Sequence, residues 1–186
     1  MQQIADQMGD NGTDVLFFSL EMSKKELMAK SLSRLTYQNC NGNEANAKTT
    51  KGMMVKSRYT NYSPTELQLI SDSTKIYAQS GRSHHIYYKH LSTPIDIAYI
   101  RKEIQHHYDM KGKYPIICVD YLQIMAQVNE RFSDKMNTDK NVFALKAISN
   151  DYHIPVIVTS SLNRDNYYGD ISMKAFKESG EIEYSA

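Results

Sequence analysis

The sequence predicts an α/β fold, a mostly parallel sheet flanked by helices. Two observations carry this prediction. Three short runs, Val15-Leu16-Phe17-Phe18, Ile116-Ile117-Cys118-Val119 and Pro155-Val156-Ile157-Val158, are apolar without alternation. Such runs suit strands buried on both faces, the environment of a parallel sheet covered by helices. Between them lie helix-start signals, and strand alternating with helix specifies an α/β architecture. At 186 residues and 41% hydrophobic, the chain suits one globular domain spanning 1–186.

Composition narrows the setting. A net charge of +1 supplies no global field for nucleic acid or membrane, so any nucleic-acid contact must be local. Cys40 and Cys118 lie far apart and give neither a disulfide framework nor zinc spacing, which fits a reducing cytoplasm. No run reaches the roughly 18 apolar residues of a membrane span, and no signal-peptide pattern opens the chain. A soluble cytoplasmic protein without membrane contact is expected.

Taken in order, Ile4, Ala5 and Met8 lie at helical spacing before the turn formers of 9–14. The strand at Val15 follows and delivers Glu21 just past its end. Ser23-Lys24-Lys25-Glu26 is a capping box, opening a helix to about Tyr37 with an apolar stripe at Leu27 or Met28, Leu32 and Leu35. Lys24, Lys25, Lys30 and Arg34 are assigned to its solvated face. Residues 38–62, rich in Asn, Gly, Thr and Lys, are expected to form a long polar surface loop with room for a short helix.

Ser63-Pro64-Thr65-Glu66 combines an N-cap, a proline in the first turn and a capping glutamate, starting a helix to about Gln79. Gly81-Arg82 turns into an expected strand over 84–90. Its adjacent histidines point to opposite faces, which disfavours a metal site. Thr93-Pro94-Ile95-Asp96 opens another helix, striped by Ile97, Ile100, Ile104 and Tyr108 and ending near Gly112. A last helix is expected from about Asp139 to Asp151, before the third strand.

Chemistry gathers at the strand ends. Glu21, Asp120 and the stretch Ser160 to Arg164 all follow apolar runs, and open α/β sheets bind ligands at the carboxyl ends of their strands. Taken alone, Asp120 either holds a metal or phosphate or caps the next turn. Together the set matches what phosphoryl transfer requires: an acid for magnesium, a group orienting the attacking water, and polar groups at the γ-phosphate.

Four segments, in order, resemble the carboxyl-terminal motor domain of DnaB-type replicative DNA helicases. They are 15–22 with Ser-Leu-Glu-Met, 116–125 with Asp-Tyr-Leu-Gln-Ile-Met, 154–164, and 176–186 with Glu-Ser-Gly-Glu-Ile-Glu. The resemblance implies a RecA-like P-loop ATPase core that uses ATP and Mg2+. It further implies translocation on single-stranded DNA as a hexameric ring, with a primase or helicase loader as partner. By resemblance Glu21 activates the water and Asp120 is the Walker B acid, holding Mg2+ through water. Ser161, Asn163 and Arg164 fall where the family senses nucleotide. Lys177, Glu178 and Gly180 fall on its DNA-binding loop, although Lys177 also reads as a solvated surface lysine.

The departures are equally informative. No Gly-x-x-x-x-Gly-Lys-Ser/Thr occurs, so the loop that cradles phosphates is missing from these residues. Ser161 replaces the family's usual glutamine, and the family's arginine finger would lie past Ala186. The chain is therefore expected to be an internal fragment of a helicase domain, inactive by itself. Two alternatives stay open: a naturally shortened, non-catalytic module that binds DNA or a partner, and another RecA-like ATPase of recombination or repair.

Overall fold

The computed structural model describes residues 1–90 and 93–161. Two compact units are distinguished, one of Met1, Asp14–Glu21 and Tyr88–Ala186, the other of Gln2–Thr13 and Met22–Tyr87.

The first unit is built on the sheet. Strands β1 (Val15–Ser19), β2 (Ile86–His90), β3 (Ile116–Asp120) and β4 (Val156–Val158) lie in the order β2-β1-β3-β4. β1 and β3 run parallel with Val15 opposite Ile116 and Ser19 opposite Asp120. β3 and β4 run parallel with Ile117 opposite Val156 and Val119 opposite Val158. All five residues of β1 are buried, so side chains of both alternations are covered, as the unbroken apolar run predicts. Phe17 packs against Tyr88 at 5.6 Å between ring centroids, and Phe18 meets Tyr99 edge-on at 6.2 Å. β4 corrects the expectation of a third fully buried strand. It is half-buried throughout, and among the described residues it ends the strand order with a neighbour on one side only.

Two helices complete this unit. In α6 (Ile97–Lys111), Asp96 is the N-cap and accepts from the Tyr99 N–H at 2.7 Å, so the start falls three residues past Thr93. Ile100 and Ile104 are fully buried, and Gly112, at φ 70°, closes the helix in the left-handed region that glycine tolerates. The last helix, α7 (Asp134–Tyr152), begins five residues before the expected Asp139, because Ser133 caps it by accepting from the Met136 N–H. The early start went unseen because this helix buries polar residues, Asn137, Thr138 and Asn141.

The second unit is helical: α1 (Gln2–Asp10), α2 (Lys24–Gln38), α3 (Thr50–Met54), α4 (Pro64–Gln79) and α5 (Gly81–His85). Both capping boxes form, at Ser23 with Glu26 and at Ser63 with Glu66. The expected loop over 38–62 is largely folded, containing α3 and 3₁₀ turns at Glu44–Asn46 and Lys56–Asn61. Its anchor is Lys48, 8% exposed. The Lys48 N–H donates to Thr36 Oγ1 at 2.9 Å and its carbonyl accepts from Ser33 Oγ at 2.6 Å. Its ammonium pairs with Glu66 and sits 4.8 Å from the centre of the Tyr62 ring. That hydrogen bond holds the Glu66 carboxyl down to about 2.

Two further expectations change in this unit. Arg34 is not on a solvated face; it pairs with Asp6, whose side chain is 2% exposed. His84 and His85 end the short helix α5 rather than open a strand, and the strand begins at Ile86. There the crossing of α1 and α5 is tight enough that a Cβ on Gly81 would stand 2.1 Å from the Gly9 carbonyl oxygen.

Candidate active site at the carboxyl edge of the sheet

The parallel register brings the predicted acids together. Ser19 lies opposite Asp120, so Glu21 emerges two residues beyond the end of β1, beside the carboxyl terminus of β3. The Leu20 N–H donates to the Asp120 carbonyl at 3.3 Å and ties the two exits together. Ser160, two residues past β4, leaves at the same edge, since Val158 is opposite Val119. His90, the last residue of β2, also reaches this edge. Its Nδ1 lies 3.1 Å from the Ser19 carbonyl, which accepts its proton in the tautomer that bonds.

The two carboxylates are little engaged by the protein. Glu21 is exposed, and among the described residues its side chain has no hydrogen bond or ion pair. Asp120 is half-buried and accepts one hydrogen bond, from Thr159 Oγ1 at 2.6 Å. It too makes no ion pair among the described residues. The Asp120–Tyr121 peptide bond is cis.

Residues 159–161 are stitched to the exit of β3. The Thr159 N–H donates to the Val119 carbonyl at 3.1 Å, and the Leu122 N–H donates to the Thr159 carbonyl at 2.9 Å. Gln123 grips both serines: its Nε2 donates to Ser160 Oγ at 2.8 Å, and its Oε1 accepts from the Ser161 N–H at 3.1 Å. Ser161, the expected sensor, is thus fixed in place by a residue that was not singled out. Gln123 and Thr159 are the contributors that residue-by-residue reading missed. Their signal was present in the hydroxyls at the end of the third strand and in an amide three residues past Asp120. Asn163, Arg164, Lys177, Glu178 and Gly180 lie outside the described residues.

The donor set suits a hard divalent cation. Mg2+ binds oxygen, keeps several waters, and is held by one or two carboxylates together with substrate phosphates. Asp120, Glu21 and the hydroxyls of Thr159 and Ser160 are all oxygen donors at one edge. Among the described residues no group of three or more His, Cys, Asp and Glu could hold a metal by itself. The residues therefore fit an ion that arrives with phosphate ligands.

Comparison with known proteins decides the family. The family model for the DnaB-like helicase C-terminal domain matches residues 1–186. The chain belongs to that family. Solved structures agree on the DnaB-like architecture: one helicase ATPase domain superposes with a TM-score of 0.81 at 20% identity, over 100% of this chain and 61% of that one. A DnaB-like replicative helicase, described with its interactions with primase, superposes with a TM-score of 0.78 at 20% identity, over 98% of this chain and 40% of that one. A probable replicative DNA helicase of Guillardia theta is 25% identical over 151 residues, 81% of this chain and 22% of that protein. The chain thus spans less than two thirds of each of these relatives. The fold is the RecA-like ATPase domain of DnaB-like helicases. Among the described residues no helix is long and apolar enough to cross a membrane.

Proposed function

We propose that this DnaB-like domain is the nucleotide-hydrolysing part of a replicative DNA helicase, coupling ATP hydrolysis to movement along single-stranded DNA. The observation that carries the reading is the pair of lightly engaged carboxylates, Glu21 and Asp120, delivered by adjacent parallel strands to one sheet edge. Asp120, oriented by the Thr159 hydroxyl, holds the water shell of Mg2+. The ion, when bound, bridges phosphate oxygens and offsets their charge. Glu21, exposed and without an internal partner among the described residues, orients and deprotonates the attacking water. Ser161, fixed by Gln123, faces the terminal phosphate together with Asn163 and Arg164.

Lys177, Glu178 and Gly180 meet the DNA backbone, Lys177 through its charge and Gly180 by letting the chain approach closely. The domain works in the cytoplasm as one subunit of a hexameric ring, with a primase or helicase loader as partner. Since these 186 residues contain no Gly-x-x-x-x-Gly-Lys-Ser/Thr loop, they hold ATP weakly by themselves and turn it over at most slowly.

The test is forked-DNA unwinding and single-strand binding by the full-length helicase. Asp120→Asn is expected to abolish unwinding while single-strand binding persists. Lys177→Ala is expected to weaken single-strand binding and lower its salt slope by about 1. Unwinding that survives Asp120→Asn would remove Asp120 from the mechanism.

A further inference from the structure

A cavity of about 300 Å³ opens between the exit of β3 and the first turns of α7, lined by Tyr121, Gln123, Met125, Thr138, Asn141 and Ser161 among others. Its volume is at the small end of the range for ligand sites, about 300 to 1,000 Å³, with room for a ring system rather than a whole nucleotide.

Its polar groups are buried and unevenly used. Thr138 is 5% exposed, and its hydroxyl has no hydrogen-bond partner among the described residues. Asn141 is 3% exposed and donates from Nδ2 to the Ala126 carbonyl at 3.1 Å, while its Oδ1 accepts nothing from a described residue. A buried hydroxyl without a partner is costly, by about 1–3 kcal/mol, so the pair calls for an occupant that hydrogen-bonds. Thr138 and Asn141 are three residues apart on α7 and therefore share a helix face, offering a donor-acceptor and an acceptor side by side.

Charge restricts the occupant. Asp134 is the one carboxylate among the described residues of the lining, and no Lys or Arg stands with it, which disfavours phosphate and other anions. The apolar share comes from the Tyr121 ring, Leu122 and Met125. A neutral heteroaromatic ring with hydrogen-bonding edges answers each feature, since extruded bases are held by stacking on aromatic side chains and by hydrogen bonds to their edges.

We propose that this cavity is a nucleobase subsite, with Thr138 and Asn141 reading the base edge and Tyr121 supplying the aromatic wall. The proposal rests on the helicase reading above for its source of bases. It also has a consequence, because the cavity shares Gln123 and Ser161 with the catalytic edge. A base that fills it contacts the same two residues that join the exits of β3 and β4.

Methyl-resolved NMR on this chain tests it, following the methyl groups of Met125 and Thr138. The probes are thymidine, deoxyadenosine, ATP, an oligothymidylate and an abasic oligomer with the same number of phosphates. Saturable shifts at both methyls are expected with base-bearing probes and not with the abasic oligomer. A response to oligothymidylate at lower concentration than to ATP assigns the base to a strand; the reverse assigns it to a free nucleotide. Thr138→Val should weaken the response at Met125 by about three- to tenfold, the worth of one hydrogen bond, and Thr138→Ser should restore it.

Silence at both methyls with every base-bearing probe, or equal shifts with the abasic oligomer, would overturn the subsite. If the oligonucleotide shifts other signals while these two stay still, the subsite fails and the DNA reading stands. If the cavity fills but the full-length protein neither hydrolyses ATP nor unwinds DNA, the subsite stands and the helicase reading fails.

Discussion

The two ends of the same sheet hold carboxylates in opposite ways. At the amino end of β1, Asp14 is 3% exposed; His107 Nε2 lies 3.1 Å and Lys113 Nζ 3.3 Å from its Oδ2. At the carboxyl end, Glu21 has no side-chain partner among the described residues and Asp120 has one hydroxyl. A buried acid whose oxygens are taken by internal groups contributes to structure, because removing it strands its partners. An acid left open at the strand exits, where parallel sheets bind ligands, retains its lone pairs for an incoming ion. The difference in company, rather than the residue type, separates the structural acid from the functional one.

That contrast is broken most strongly by Asp14→Ala. Leaving His107 and Lys113 without their acceptor should cost about 1–3 kcal/mol, read as a lower urea midpoint at unchanged slope. A midpoint that does not move would mean that the amino-end cluster holds nothing together.

The pH dependence comes next. Burial, partly opposed by the Asp14 carboxylate and reinforced by Lys111 and Lys113, pushes the His107 pKa below its ordinary 6.5. The unfolded chain then binds the proton more readily than the folded one. Stability from this group is accordingly full above pH 6.5 and falls as the pH drops through the lowered folded value. Melting temperature should decline between pH 7.5 and 5, and His107→Gln should flatten that part of the profile. A decline of the same size in His107→Gln would assign it to other groups.

The smallest effect sharpens the contrast from the other side. Glu21→Gln and Asp120→Asn should each leave stability within about 0.5 kcal/mol, as surface changes without internal partners do. A loss above about 1 kcal/mol in either would show that the carboxyl edge is structural as well.

Much of this was legible in the sequence, for local reasons. Ser63-Pro64-Thr65-Glu66 starts α4 at the expected residue because capping is decided within one turn. The unbroken apolar runs place β1 and β3, and with them Glu21 and Asp120, because burial on both faces leaves a pattern in composition. What stayed hidden depends on distant partners. Lys48 reads as a loop lysine until Thr36, Tyr62 and Glu66 surround it.

Gly81 reads as a turn glycine, yet the Gly9 carbonyl requires it. Gly81→Ala should destabilise by about 1–3 kcal/mol for that reason. Polar residues on the inner face of α7 hid both its start and its cavity, since periodicity searches count apolar positions. Gln123 lies only three residues from Asp120, but its grip on Ser160 and Ser161 exists only once β3 and β4 are side by side.

The central claim is that Glu21 and Asp120 form the working edge for ATP. It is tested most directly by joining the chain to a strand and Gly-x-x-x-x-Gly-Lys-Ser/Thr loop of about 30 residues ahead of Met1, and measuring Mg2+-dependent ATP hydrolysis. The joined protein should hydrolyse ATP, and Asp120→Asn and Glu21→Gln should each lower the rate by about 10²- to 10³-fold, the scale of losing one preorganised electrostatic contact. Asp14→Asn should leave the rate per folded molecule unchanged. Hydrolysis that survives both carboxyl-edge substitutions, or that is lost with Asp14 alone, would contradict the account.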